Sequence, residues 1–201
     1  MNRAIIIFLI GALATPCLGQ YFDKYFGLVY DANKPLSNTE FIKNISRRGA
    51  KLIYREFINE KFCIGGEVGF ATYNDYVPPA VYTSDNVSIY TDIYGYVYNY
   101  TISLSGEYFF MTGKVMPYVG FGLGAARNKF SAYYNVFENH EIKWGALIRP
   151  NVGALLRFGK KTSWGATAGL HLDYSTTKSV DFDYRNFSNI GFQVGLVYMN
   201  W

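Results

Sequence analysis

The chain has 201 residues and a net charge of +4, with 19% aromatic and only 17% charged residues. Two cysteines, one of them inside the N-terminal apolar segment, exclude a fold stapled by disulfides. Nineteen tyrosines exceed what a soluble core uses, because each buried hydroxyl needs a partner, whereas a tyrosine ring sits well at a membrane–water boundary.

The N-terminus reads as an export signal. Met1-Asn2-Arg3 supplies a positive start, and residues 4–14 form an apolar core too short to cross a bilayer as a helix. Thr15-Pro16-Cys17-Leu18-Gly19 adds a breaker and small residues, so residues 1–19 are expected to be cleaved away. A lipoprotein signal ending at Cys17 fits less well, because proline directly precedes it. Residues 20–201 then form one domain. No later run approaches the ~18 apolar residues of a transmembrane helix.

From there on the pattern has period two, which means strand. Phe26, Leu28 and Tyr30 oppose Gly27, Val29 and Asp31; Ala50, Leu52 and Tyr54 oppose Lys51, Ile53 and Arg55. Phe62, Ile64, Val68 and Phe70 oppose Cys63, Gly65, Glu67 and Gly69. Tyr98, Tyr100, Ile102, Leu104 and Tyr108 oppose Asn99, Thr101, Ser103, Ser105 and Glu107. In the run PYVGFGLGA, Val119, Phe121 and Leu123 oppose Gly120, Gly122 and Gly124. Over residues 142–158, Trp144, Ile148 and Val152 oppose Lys143, Arg149 and Arg157, with Leu147 and Leu155 as apolar exceptions. Pro150 cannot donate to a ladder and predicts a local irregularity. Two further strands follow. Trp164, Leu170 and Leu172 oppose Thr167, His171 and Asp173, and Ile190, Phe192, Val194 and Tyr198 oppose Gly191, Gln193 and Gly195.

Eight strands are thus expected. Short turns fall at residues 59–61, 112–114 and 159–162, and long loops at 32–46, 74–91, 131–141 and 175–186. Short turns on one rim and long loops on the other are the pattern of an outer-membrane barrel. A soluble sandwich would carry many long charged side chains on its polar face, but here that face is Gly, Ser, Thr and Ala with isolated charges. Small residues suit the narrow bore of an eight-stranded barrel. The predicted fold is an all-β, eight-stranded antiparallel up-and-down transmembrane barrel. Lys51, Arg55, Glu67, Glu107, Lys143, Arg149, Arg157, His171 and Asp173 are expected to form a polar network in its lumen, where opposite charges satisfy one another.

PYVGFGLGA, the run GFQVGLVY over residues 191–198 and the terminal Trp201 resemble small outer-membrane barrels of the OmpA/OmpX/OmpW type, over nearly all of the mature chain. Members of that family end on an aromatic residue that the barrel-assembly machinery recognises. The resemblance therefore implies an assembly signal at Gly195, Tyr198 and Trp201, and that machinery as a partner. Trp201 comes one residue later than the usual alternation.

Chemistry is sparse. His171 and Asp173 share the inner face with Ser175, like a depleted triad, and some small outer-membrane barrels modify lipid A. The His-x-Ser pattern of the deacylases is absent, and neighbours along one strand do not build a nucleophile–base–orienter geometry. His140 beside Glu138 and Glu141 lacks a metal-ligand spacing, and Cys63 stands alone. The glycines lie inside strands with no helix following, so they are not phosphate loops. No catalysis, cofactor, metal or nucleic acid is expected. The expected role is structural or interactive: a plugged, narrow barrel presenting loops, with Tyr76, Tyr82, Tyr133 and Tyr134 as contact residues for an extracellular ligand. Outer-membrane lipid and lipopolysaccharide are the other expected partners, with Arg47, Arg48 and Lys43 near the phosphates. The alternatives are a narrow porin-like channel for small solutes and, third, a lipid A-modifying enzyme.

Overall fold

A computed structural model describes residues 24–84, 87–134, 137–159 and 163–200. The expected export segment and Trp201 lie outside the described residues. The strands are β1 (Lys24–Pro35), β2 (Arg48–Asn59), β3 (Phe62–Ser84), β4 (Val87–Phe109), β5 (Val115–Tyr134), β6 (Phe137–Arg157), β7 (Trp164–Ser175) and β8 (Phe187–Asn200). Each pairs antiparallel with its chain neighbour, and β8 returns to β1 in unbroken register from Lys24↔Asn200 to Pro35↔Asn189. Within the closed ring every strand has a hydrogen-bonded neighbour on both sides.

Burial follows the sequence alternation, with the polarity of a soluble protein inverted. On β4, Leu104 is 70% exposed while Glu107 on the opposite face is 3% exposed. On β2, Leu52 faces outward at 62% while Arg55 is inside at 1%. A water-soluble sandwich or barrel would lose stability with every such pair, since each buried leucine is worth about 1.5–3 kcal/mol.

Exposed and half-buried aromatic residues ring the outer face at two heights. Near the short turns stand Phe26, Tyr54, Tyr108, Trp164 and Tyr198, with Phe26–Tyr54 and Trp164–Tyr198 in ring contact at 4.8 and 5.4 Å. Near the long loops stand Tyr30, Phe70, Tyr100 and Tyr174, with Phe70–Tyr100 at 5.0 Å. Between the rings the outward positions are aliphatic, aromatic, proline or small residues, and charges flank the band. Lys24 pairs with Glu56 at 3.5 Å below it, and the Arg127 guanidinium lies 5.7 Å from the Tyr100 ring at its upper limit. Hydrocarbon is the solvent such a band can face without loss.

In the stretches 74–91 and 131–141, expected as loops, the described residues are strand. The β3–β4 ladder continues to Ser84↔Val87 and the β5–β6 ladder to Tyr134↔Phe137. Tyrosine and β-branched residues favour a pleated surface, and cross-strand pairs such as Tyr76–Tyr94, 4.7 Å apart, hold these hairpins beyond the upper ring. Pro78 and Pro79 fall in a register shift between Val77 and Ala80, as residues without an N–H should. At Pro150 the β6–β7 ladder omits two positions and resumes in the same register at Asn151↔His171. Residues 36–47 and 176–186 remain loops.

Candidate functional site

The interior is built in three layers. Nearest the short turns lies an apolar layer that includes Tyr25, Val29, Ile53, Phe57, Phe109, Met116, Leu155 and Met199. Leu155, an exception to the alternation of polarity, belongs here.

The middle layer is ionic. Arg55 donates to Glu67 at 2.7 Å and to Glu107 at 2.9 Å, and Tyr25 donates its hydroxyl to Glu107 at 2.7 Å. Arg149 grips Asp173 with two donors at 2.5 and 2.6 Å and also donates to Glu67. Ser103 donates to Glu67 at 3.1 Å, and Thr101 accepts from Arg149 at 3.2 Å. Lys51 pairs with Asp31 at 3.1 Å, donates to Gln193 at 3.2 Å and lies 3.1 Å from His171 Nε2. His171 Nε2 also lies 3.1 Å from the Asn33 side-chain oxygen. Four carboxylates thus meet two guanidinium groups, one lysine and an imidazole, all buried. The fork of each arginine joins two carboxylates carried by different strands, which ties the wall together across the bore.

Seven of the nine residues expected in the lumen meet in this layer: Lys51, Arg55, Glu67, Glu107, Arg149, His171 and Asp173. Lys143 and Arg157 do not. Lys143 stands six residues above Arg149, about 20 Å along the strand, where it is half exposed and pairs with Glu141 at 2.6 Å. Arg157 stands eight residues below Arg149, about 26 Å away along the strand, and its backbone N–H bonds Lys114 beside a short turn. Period two fixes which face a residue takes and says nothing of its height. Asp31, Gln193 and Asn33 join the network without belonging to the expected set; they lie on the inner face, which the alternation Gly27, Val29, Asp31 already displays.

The glycines make room for this layer. A Cβ on Gly191 would collide with the His171 ring and the Asn33 oxygen. One on Gly120 would stand 2.8 Å from Glu107 Cγ. Gly122 has more space, its nearest neighbour being Ser105 Cβ at 3.3 Å.

The third layer closes the loop end. Phe41 and Ile42 from residues 36–47, and Phe182 and Tyr184 from residues 176–186, fold over the mouth and pack on Tyr73, Phe130 and Phe187. Burial pushes the Tyr184 phenol pKa up. Asn38 donates to the Phe182 carbonyl at 2.7 Å, Leu36 N–H to Ser188 at 2.8 Å, and Ser179 to Glu141. These apolar loop residues carry no periodic pattern, so nothing in the sequence marks them as a cap. Tyr134, expected on the surface, packs against the cap. Tyr76 and Tyr133 are on the projecting hairpins, and the Tyr82 side chain lies outside the described ones.

The residues that suggested chemistry do not converge. Asp173 is engaged by Arg149, and Ser175 bonds Thr177 at 3.0 Å. His140 lies 3.6 Å from Glu138 on the outer face of β6, while Glu141 on the other face bonds Lys143 and Ser179. Among the described residues no group of His, Cys, Asp and Glu has the arrangement of a metal site. Cys63 is buried, with its thiol 3.6 Å from Glu107. Gly195 faces inward against Val29, and Tyr198 belongs to the lower aromatic ring.

No protein-family model matches the chain, and no curated protein does. Among solved structures the chain is similar to Ail, the attachment invasion locus protein of Yersinia pestis, at 12% identity and a TM-score of 0.55 over 90% of this chain and 100% of that one. A second structure of that protein, in complex with the heparin analogue sucrose octasulfate, aligns at 16% identity and a TM-score of 0.53, again over 90% and 100%. Neisserial surface protein A aligns at 16% identity and a TM-score of 0.54, over 88% of this chain and 96% of that one. The chain folds as a small outer-membrane β-barrel. At these identities the likeness is one of architecture. The barrel's ionic layer and apolar cap are properties of its own residues.

Proposed function

We propose that this barrel resides in the outer membrane of a Gram-negative cell, delivered there by a cleaved export signal at residues 1–19, and serves a structural or interaction role without catalysis. The observation that carries this reading is the filled interior. An ionic layer lies between two apolar ones, and the cap is pinned by hydrogen bonds from Asn38 and Leu36. A filled bore speaks against the porin-like alternative, and the engagement of Asp173 by Arg149 speaks against lipid A modification.

What the molecule offers a partner is its outside. The β3–β4 and β5–β6 hairpins rise above the upper ring and carry exposed Tyr76, Tyr90, Tyr94 and Phe137, with Tyr133 beside Tyr96. Tyrosine gives large contact area with few rotors to freeze, a property of recognition surfaces. Lys34, Arg47 and Arg48 cluster at the rim near Tyr30, whose hydroxyl donates to the Arg47 carbonyl at 2.9 Å. Guanidinium and ammonium groups at that height suit the phosphates of lipopolysaccharide. Gly195, Tyr198 and Trp201 serve the assembly machinery.

The test replaces residues 78–91 and 132–139 by tight turns in the protein displayed on cells. Loss of attachment to extracellular matrix or sister cells, with the heat-modifiable folded band retained, supports the interaction role. Undiminished attachment contradicts it. In planar bilayers the intact protein should show no unitary conductance; a steady small-solute conductance would restore the channel reading.

A further inference from the structure

Outside the filled bore the outer rim holds a cavity of about 720 Å³, open between residues 36–40 and the segment 183–188, with Tyr174 at its side. That volume is within the roughly 300–1,000 Å³ of small-ligand sites. It differs from most of them in being walled by polar groups. Asn38, Glu40, Asp183, Arg185 and Asn186 line it, and the buried Tyr184 contributes to its wall. The two walls are fixed to each other: Asn38 donates to the Phe182 carbonyl at 2.7 Å, and Ser188 N–H donates to Ser37 Oγ at 2.9 Å.

Asp183 takes a left-handed backbone conformation in the turn that forms one wall, at a φ of 49°. Among the described residues Glu40, Asp183 and Arg185 make no ion pair. Tyr174 is 44% exposed at the upper aromatic ring and lines one side of the cavity. A held concavity with acceptors, donors and one aromatic ring is a recognition site in search of a ligand with the matching chemistry.

Three ligand classes can be compared. An apolar ligand would strip water from carboxylates and a guanidinium without replacing its hydrogen bonds, at a cost of a few kcal/mol for each group. A polyanion meets two carboxylates against one guanidinium, an unfavourable balance. A neutral sugar matches: its hydroxyls both donate and accept, and the C–H face of a ring packs on an aromatic face. We infer that this cavity is a binding site for a short neutral saccharide, stacked on Tyr174 and hydrogen-bonded by Glu40, Asp183, Arg185 and Asn186. At the height of the upper ring, the sugar of a neighbouring glycolipid and a sugar from outside the cell both reach it. The inference rests on the interaction role proposed above and gives it a ligand class.

The experiment uses the full mature chain in phosphatidylcholine nanodiscs free of lipopolysaccharide, titrated calorimetrically with chitotriose, maltotriose and a phosphate-free, neutral hexose oligosaccharide of the lipopolysaccharide outer core. Saturable binding of at least one is expected. Arg185→Ala and Glu40→Gln, exposed side chains with no ion pair in the fold, should each weaken it about tenfold or more, ~1.4 kcal/mol. Tyr174→Ala should do the same and Tyr174→Phe should restore it, while Lys178→Ala, outside the cavity, should leave it intact. Competition by intact lipopolysaccharide assigns the sugar to a membrane glycolipid, and its absence assigns it to the exterior. No binding at millimolar sugar, or binding indifferent to all three cavity substitutions, overturns the inference. Hairpin-dependent attachment would survive that result, and sugar binding would survive a failure of the hairpin test, so the two proposals fall separately.

Discussion

At the scale of the residue, the interior is governed by the cost of an unmatched buried charge. Arg149 answers two carboxylates, Glu67 and Asp173, on two other strands. Arg149→Met leaves both without their main partner and should destabilise the barrel by about 3–5 kcal/mol, read as the urea midpoint of the heat-modifiable band in detergent. Gly191→Ala and Gly122→Ala separate two kinds of inner glycine. The first forces a methyl into His171 and Asn33 and should cost about 1–3 kcal/mol. The second brings a methyl to 3.3 Å from Ser105 Cβ and 3.5 Å from Arg149 Cβ, contacts that a few tenths of an ångström relieve, and should cost clearly less than the first in the same titration. Much of this was legible in the sequence, because period two alone sends Lys51, Arg55, Glu67, Glu107, Arg149, His171 and Asp173 inward. Height was not legible, so Lys143 and Arg157 read like the rest although they lie six residues above and eight residues below Arg149 on β6.

At the scale of the element, the strands were written in the alternation and the cap was not. Phe41, Ile42, Phe182 and Tyr184 sit in segments with no period, and they reach the core through contacts among Phe130, Tyr73 and Phe187 that bring together distant parts of the chain. The hairpin extensions escaped for a different reason. Residues 74–91 contain the proline and aspartate that usually mark loops, yet the pairing absorbs Pro78 and Pro79 in one register shift. The cap depends on acid–base chemistry at one point. Hydrogen bonds from Lys143 and then Ser179 hold the Glu141 carboxyl below the usual carboxylate range. A depressed folded-state pKa gives a stabilising contribution present above the unfolded value and lost as pH falls through the folded one. A spin label at Asp181 should therefore be immobile at neutral pH and gain mobility as the pH falls below the ordinary carboxylate range. Glu141→Gln should give part of that mobility already at neutral pH.

At the scale of the whole molecule, one inversion organises everything: aliphatic and aromatic side chains outward, ionic and small ones inward. Its origin is the solvent for which the fold is built, since a sheet satisfies all of its own backbone in hydrocarbon only when it closes into a ring. The projecting hairpins, the rim cations and the polar cavity at residues 36–40 and 183–188 are arranged around that belt. The decisive measurement is collision accessibility of nitroxides placed singly at Leu104, Leu123 and Leu196, in the full chain reconstituted in lipid bilayers. The account predicts frequent collision with oxygen and near-absence of collision with a water-soluble nickel chelate at all three. Free access of the chelate to these sites, with oxygen no more frequent than in water, would contradict it.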